Sequence, residues 1–176
     1  MHSSILKSKI ISEFKYVDGH SDPWRLFYDG SLFRGIIEEL SSPAADAGVT
    51  KVVGIEAKGF ILGAAVAAHL GAGFVAIRKP GGLYPGPKIQ RETQPDYRGN
   101  VPTLSLQRAA IAPSDRVIIV DDWLETGSQA LAAIAMLKEL GATFVGCSII
   151  TDQLTDATRT KIGPVWSIVT AGELAP

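Results

Sequence analysis

Along this chain, short apolar runs alternate with segments of helical period. Residues 52–55, 74–77, 117–120, 144–150 and 165–169 are apolar-rich and bounded by Gly, Pro or polar residues, so each reads as a buried strand. Residues 60–70, ended by Gly71, and 128–140, closed by Gly141, carry helical spacing. Strand, helix, strand in this rhythm implies βαβ units. The predicted fold class is α/β: an open, mostly parallel twisted sheet of about five strands with helices on both faces. The first forty residues add an N-terminal helix and an Arg-bearing loop at 29–35 before another helix. No repeat or linker divides the chain, so residues 1–176 read as a single domain.

One stretch breaks the rhythm. Residues 79–102 hold five prolines, four glycines and several charges, with no convincing period. A connection this long in a compact domain is usually functional or mobile. It reads either as a lid over a site or as an exposed hairpin or loop.

Composition narrows the classes. Charged residues make up 20% of the chain, which argues against disorder, and the net charge of −1 gives no reason to expect a nucleic-acid partner. Residues 59–77 approach the length of a membrane span, but Gly71 and Gly73 interrupt them and much of the rest is Ala and Gly. A helix followed by a buried strand is the better reading, with no membrane partner and His69 near the helix end. The N-terminus breaks its apolar residues with lysines and does not read as a signal peptide. The single Cys147 cannot form an internal disulfide, which suits a reducing, cytoplasmic location, and it is expected to be a buried, inert thiol.

Ligands of open parallel sheets bind outside the carboxyl ends of the strands. Three polar features fall there: Glu56-Ala57-Lys58-Gly59, Arg78-Lys79-Pro80-Gly81, and the run from Asp121 to Gln129. Two bring cations. The third brings two adjacent acids and then a helix start. Backbone N–H groups at Thr126-Gly127-Ser128-Gln129 can cradle a phosphate, with the Thr126 and Ser128 hydroxyls as further donors. Thr126 and Gln129 also fit a capping box, which needs no ligand. Asp121 and Asp122 can accept from vicinal sugar hydroxyls, or hold hydrated magnesium, a hard cation that prefers oxygen.

The stretch Val117–Gln129 (an apolar strand, two acids, a short variable segment, then Thr-Gly) resembles the phosphoribosyl pyrophosphate (PRPP) motif of type I phosphoribosyltransferases. The resemblance runs across most of the chain and is closest to adenine phosphoribosyltransferases. Gly30-Ser31-Leu32-Phe33-Arg34 resembles their base-contacting Phe-Arg segment, Glu56-Ala57-Lys58-Gly59-Phe60 their pyrophosphate loop, and Ile77-Arg78-Lys79-Pro80-Gly81 their Ile-Arg-Lys-Pro-Gly signature. The resemblance implies transfer of the 5-phosphoribosyl group from PRPP, with Mg2+, to a purine base, adenine first. The products would be AMP and pyrophosphate, as in purine salvage.

It also implies roles. Asp121, Asp122, Thr126, Gly127, Ser128 and Gln129 would hold the ribose phosphate, with magnesium near Asp121 and Asp122 through PRPP and water. Lys58, Arg78, Lys79 and Lys88 would meet the pyrophosphate. Phe33, Arg34 and Asp152 would meet the base. Residues 1–45 would form an N-terminal hood and 79–102 a lid that excludes water. The family is commonly dimeric, so a homodimer is the expected assembly.

Several positions depart from the pattern. The usual turn ends in Gly-Thr where this chain has Ser128-Gln129, and the pyrophosphate-loop Arg is Lys58, which keeps a charge but loses the bidentate fork. The lid's usual Glu-Tyr pair has its nearest counterpart in Asp96-Tyr97. Adenine enzymes generally have a small residue where this chain has Glu125, whereas 6-oxopurine enzymes have an acid there. Glu125, and Asp96 from the lid, are therefore the candidate catalytic acids, with a solvated helix-end acid as the plainer reading of Glu125. Asp152 only accepts, so facing the base it would suit an exocyclic amine. Trp123 would shield the ribose or pack in the core. Two alternatives stand beside adenine: another purine base (hypoxanthine, guanine or xanthine), or a PRPP-binding regulator without turnover.

Overall fold

The computed structural model describes residues 3–95, 99 and 101–174. In chain order the elements are helix α1 (Ser3–Glu13), a small hairpin of β1 (Lys15–Val17) and β2 (His20–Asp22), and helix α2 (Gly30–Ser41). Then come β3 (Lys51–Ile55), α3 (Lys58–Leu70), β4 (Gly73–Ile77), β5 (Lys88–Glu92) and β6 (Thr103–Gln107). The rest is β7 (Arg116–Leu124), α4 (Ser128–Glu139), β8 (Thr143–Asp152), α5 (Asp156–Ile162), β9 (Val165–Thr170) and α6 (Ala171–Leu174). The expected central sheet is present: five parallel strands in the order β4-β3-β7-β8-β9. The order reverses between β3 and β7, and in such sheets the two connections leave in opposite directions and open a crevice beyond the strand ends.

Strand alternation sorts the core into two layers. Val117 and Ile119 of β7 pack with Ala133, Ile134 and Leu137 of α4. Ile118 and Val120 pack on the other face with Leu6 and Ile10 of α1, Ile36 and Leu40 of α2, and Leu62 and Val66 of α3. Helix α3 lies unusually close to the sheet. A Cβ on Gly54 would overlap the Gly59 carbonyl, and one on Gly59 would stand 3.0 Å from Asp121 Oδ1. These two close approaches bring the start of α3 against β3 and the end of β7.

Four expectations change. Residues 29–35 are not a loop, because α2 begins at Gly30. Asp29 caps it, its Oδ1 accepting from the backbone N–H groups of Ser31 at 2.8 Å and Leu32 at 2.9 Å. The Ser31 hydroxyl, first among these donors, holds the Asp29 carboxyl well below the usual carboxylate range. Strand β7 continues past Val120 through both acids, because β8 runs on to Asp152 and supplies partners: Trp123 pairs with Thr151 and Leu124 with Asp152. Residues 79–102 are also not uniformly irregular. Their β5 pairs antiparallel with β6, which is tied to β4 by the Arg78–Ser105 bridge, and Ile89, Leu104 and Leu106 join the core. The hairpin β1–β2 was not anticipated either. No helix among the described residues is long and apolar enough to cross a membrane, so residues 59–77 divide into α3 and β4 as expected.

Candidate functional site

A cavity of about 730 Å³ lies beyond the carboxyl ends of β3 and β7, at the reversal of strand order. Asp121, Asp122, Glu125, Thr126, Gly127, Ser128 and Gln129 all line it, from one continuous stretch. Gly127 makes the turn possible. Its φ of +72° belongs to the left-handed region, and a Cβ there would meet Thr158 Cγ2 at 2.8 Å and Ile162 Cδ1 at 2.9 Å. It is also the N-cap of α4, without a side-chain cap bond. The capping box of Thr126 with Gln129 does not form. Thr126 Oγ1 instead accepts from the Ser128 N–H at 3.3 Å and donates to Ser128 Oγ at 3.1 Å. The first-turn N–H groups of α4 have no intrahelical carbonyl to meet, and the helix dipole favours an anion there.

The two acids differ. Asp122 is buried and its Oδ2 lies 2.8 Å from Lys58 Nζ, at the first residue of α3. Lys58 also sits over the Trp24 ring at 5.8 Å. Asp121 Oδ1 accepts the Asp122 backbone N–H at 2.9 Å. Its carboxyl is pushed well above the ordinary range, first by desolvation and then by the neighbouring charge of Asp122. Lys58 therefore neutralises one acid while its neighbour favours the protonated form. Burial pushes the Cys147 thiol behind them up to about 12, which agrees with an inert, buried role.

The other polar loops only partly converge. Lys58 and Lys79 line the cavity, with Glu56 and Ala57 between their loops; the Glu56–Ala57 peptide bond is cis. Arg78 does not line it. Its guanidinium grips Glu56, Nε to Oε2 at 2.9 Å and Nη2 to Oε1 at 3.3 Å, and the Lys79 N–H adds 2.9 Å to Oε2. That guanidinium holds the Glu56 carboxyl below its usual range. Lys88 Nζ donates to the Tyr84 carbonyl at 2.6 Å.

The residues expected to meet the base have partners of their own in the structure. Phe33 packs edge-to-face with Phe27 at 5.5 Å between centroids. Arg34 lines a separate hollow of about 370 Å³ along α2. Asp152 is buried and pairs with Arg159, with the Leu154 N–H at 2.9 Å as a second partner. It is not among the residues lining the main cavity. Asp96 lies outside the described residues.

Further residues line the cavity as well, among them Trp123, expected against the ribose or in the core. Tyr16, Gly19, His20 and Ser21 of the β1–β2 hairpin line the cavity, as do Trp123 and Gln153. The hairpin had a sequence signal. Asp18-Gly19 is a two-residue turn with φ of +50° and +77°, between Val17 and His20. The bond from Trp123 Nε1 to Gln153 Oε1, at 2.8 Å, had none.

Comparison with known proteins agrees with this architecture. The phosphoribosyl transferase domain family matches residues 30–168, and the chain belongs to that family. Adenine phosphoribosyltransferase of Dinoroseobacter shibae is 43% identical over 131 residues, covering 74% of this chain and 72% of the relative. That of Rhizobium meliloti is 39% identical over 154 residues, covering 84% of each. Among solved structures, adenine phosphoribosyltransferase of Rhodothermus marinus superposes with a TM-score of 0.84 at 32% identity, over 95% of this chain and 99% of the other.

Proposed function

We propose that this chain transfers the 5-phosphoribosyl group of PRPP to adenine, releasing pyrophosphate and forming AMP. The observation that carries it is the single cavity joining paired acids, a glycine-turned helix start and two lysines at the reversal of strand order. The similarity to enzymes named for adenine supports the choice of base.

In this reading the 5′-phosphate sits on the N–H groups and hydroxyls of residues 126–129, where the helix dipole and backbone donors favour an anion. Asp121 and Asp122 accept from the ribose hydroxyls. Lys58 and Lys79 face the pyrophosphate, whose growing charge must be met as the C1′–O bond breaks. Arg78 acts one step back, by holding Glu56 and so the shape of that loop. Lys88 and Asp96 belong to the lid, residues 79–102. The base nitrogen bonds to C1′ as pyrophosphate leaves, and Glu125 takes the ring proton. Residues 1–176 work as one domain, as a cytoplasmic homodimer.

The donor set fits magnesium in one form only. No group of three or more His, Cys, Asp or Glu among the described residues makes a metal cage, but Asp121 and Asp122 offer the oxygen atoms a hydrated Mg2+ prefers. Magnesium brought in with PRPP would be held beside them and would neutralise charge on the leaving group.

Glu125 in the cavity wall favours a second reading, in which a 6-oxopurine is the base. Incubation with PRPP, Mg2+ and a panel of adenine, hypoxanthine, guanine and xanthine separates the two, with nucleotide and pyrophosphate as readouts. Adenine should turn over fastest, with one pyrophosphate per nucleotide. Turnover of hypoxanthine but not adenine overturns the choice of base, and PRPP binding without any turnover overturns the enzyme.

A further inference from the structure

Trp123 and Gln153 both line the cavity, and they touch each other there. Both are set on rigid backbone. Trp123 lies within β7, paired with Thr151 of β8, and its ring packs 6.0 Å from that of Phe14. Gln153 directly follows β8, and its N–H donates to the Leu124 carbonyl at 2.9 Å. The indole N–H only donates, so the amide group facing it must be the oxygen. A glutamine amide otherwise has two near-isosteric orientations with opposite hydrogen-bonding character. Here Trp123 selects one.

We propose that Gln153 reads the 6-substituent edge of the purine and that Trp123 is the positioning residue that fixes which way its amide reads. The inference rests on the phosphoribosyl-transfer reading above. A fixed amide offers an NH2 donor beside an oxygen with one lone pair still open. Adenine presents the matching pair, a ring-nitrogen acceptor beside an exocyclic amine donor, and glutamine meets that pair with two hydrogen bonds. A 6-oxopurine in the same pose sets its carbonyl against the amide oxygen. Accepting it would require the amide to turn over, which would bring NH2 against the indole N–H. Discrimination between 6-amino and 6-oxo bases thus depends on a tryptophan that need not touch the base, and it also explains how a chain with Glu125 favours adenine.

The test uses product nucleotides, so it does not depend on turnover. Dissociation constants for AMP, IMP and ribose 5-phosphate are measured by calorimetry on the wild type, Trp123→Phe and Gln153→Leu. The wild type should bind AMP about tenfold or more tightly than IMP, as expected when a mismatched donor is left unpaired. Trp123→Phe keeps an aromatic ring but removes the N–H, and the ratio should fall to about threefold or less. Gln153→Leu should collapse it likewise. Ribose 5-phosphate should bind all three proteins within about twofold of one another, since its site is the β7–α4 turn. A wild-type ratio near one, or variants that keep the wild-type ratio, overturns the proposal. So does a parallel loss of ribose 5-phosphate binding, which would mean the changes act through the fold. A protein that shows the expected ratios but turns over no base would retain this inference and lose the enzyme.

Discussion

The β7–α4 corner and a second set of residues, from the β1–β2 hairpin and Gln153, line one cavity, and they are built differently. At the corner, seven consecutive-stretch residues expected in the site line the cavity together. Phe33, Arg34 and Asp152, expected to meet the base, are engaged elsewhere, and a small hairpin lines the cavity together with Trp123 and Gln153. The corner is fixed by what lies under it. Val117 to Val120 are fully buried in the central strand, Ala130 and Ala133 seat the helix, and Gly127 admits one turn geometry. The residues expected at the base are instead governed by polar side chains choosing among nearby partners. Asp152 has Arg159 within reach from α5, and Asp29 has the first turn of α2. Position is inherited from buried backbone more reliably than from side-chain chemistry.

The largest expected effect tests this division. Asp122→Ala should lower kcat/KM for PRPP by about a hundredfold or more, because it removes the proposed ribose acceptor and leaves Lys58 without its ion-pair partner. Arg34→Ala, in the separate hollow, should change it by less than about threefold. Equal losses would mean that α2 contributes to the site as the resemblance implied, and the contrast between the two sets of residues would fail.

Next in size is Glu125→Ala. Loss of a proton acceptor in the cavity wall should reduce kcat with adenine by about tenfold to a hundredfold, leaving KM for PRPP nearly unchanged. An unchanged kcat would make Glu125 a helix-end acid only.

The smallest effect concerns stability. Asp121 has a raised pKa in the folded chain, from desolvation first and Asp122 second. A carboxyl raised above its unfolded value contributes stability that is complete below about pH 4 and is lost as pH rises through the folded value. At neutral pH the wild type therefore bears the cost of this acid. Asp121→Asn should unfold a few degrees higher near neutral pH, where about 1 kcal/mol corresponds to roughly 2–4 °C, and the gain should disappear near pH 3. Thermal unfolding of both proteins across that range checks it. A gain that persists in acid would point to packing instead of charge.

Most of the sheet was legible because its strands are nearly continuous apolar runs, the pattern of strands buried on both faces. What escaped had weaker or competing signals. Strand β5 buries only Ile89 of its five residues, so no alternation stands out. Strand β6 does alternate, Thr-Leu-Ser-Leu-Gln with both leucines buried, and its pattern was available to be read. The start of α2 was hidden by Gly30 and by the likeness of Phe33-Arg34 to a loop motif, although Asp29 with Ser31 is an ordinary helix-start signal. The Trp123–Gln153 contact joins residues 30 positions apart across two strand ends, and nothing local announces it. Of the cavity lining, the run from Asp121 to Gln129 was legible in one stretch of sequence. The hairpin and Gln153 were not, because they reach the cavity from separate segments of the chain.

The most direct test of the central claim is a crystal structure of this protein with AMP. The phosphate is expected on the backbone N–H groups of residues 126–129, the ribose hydroxyls on Asp121 and Asp122, and the purine between the β1–β2 hairpin and Gln153. Phosphate seated at Arg34, or AMP bound with its ribose away from Asp121 and Asp122, would contradict the account.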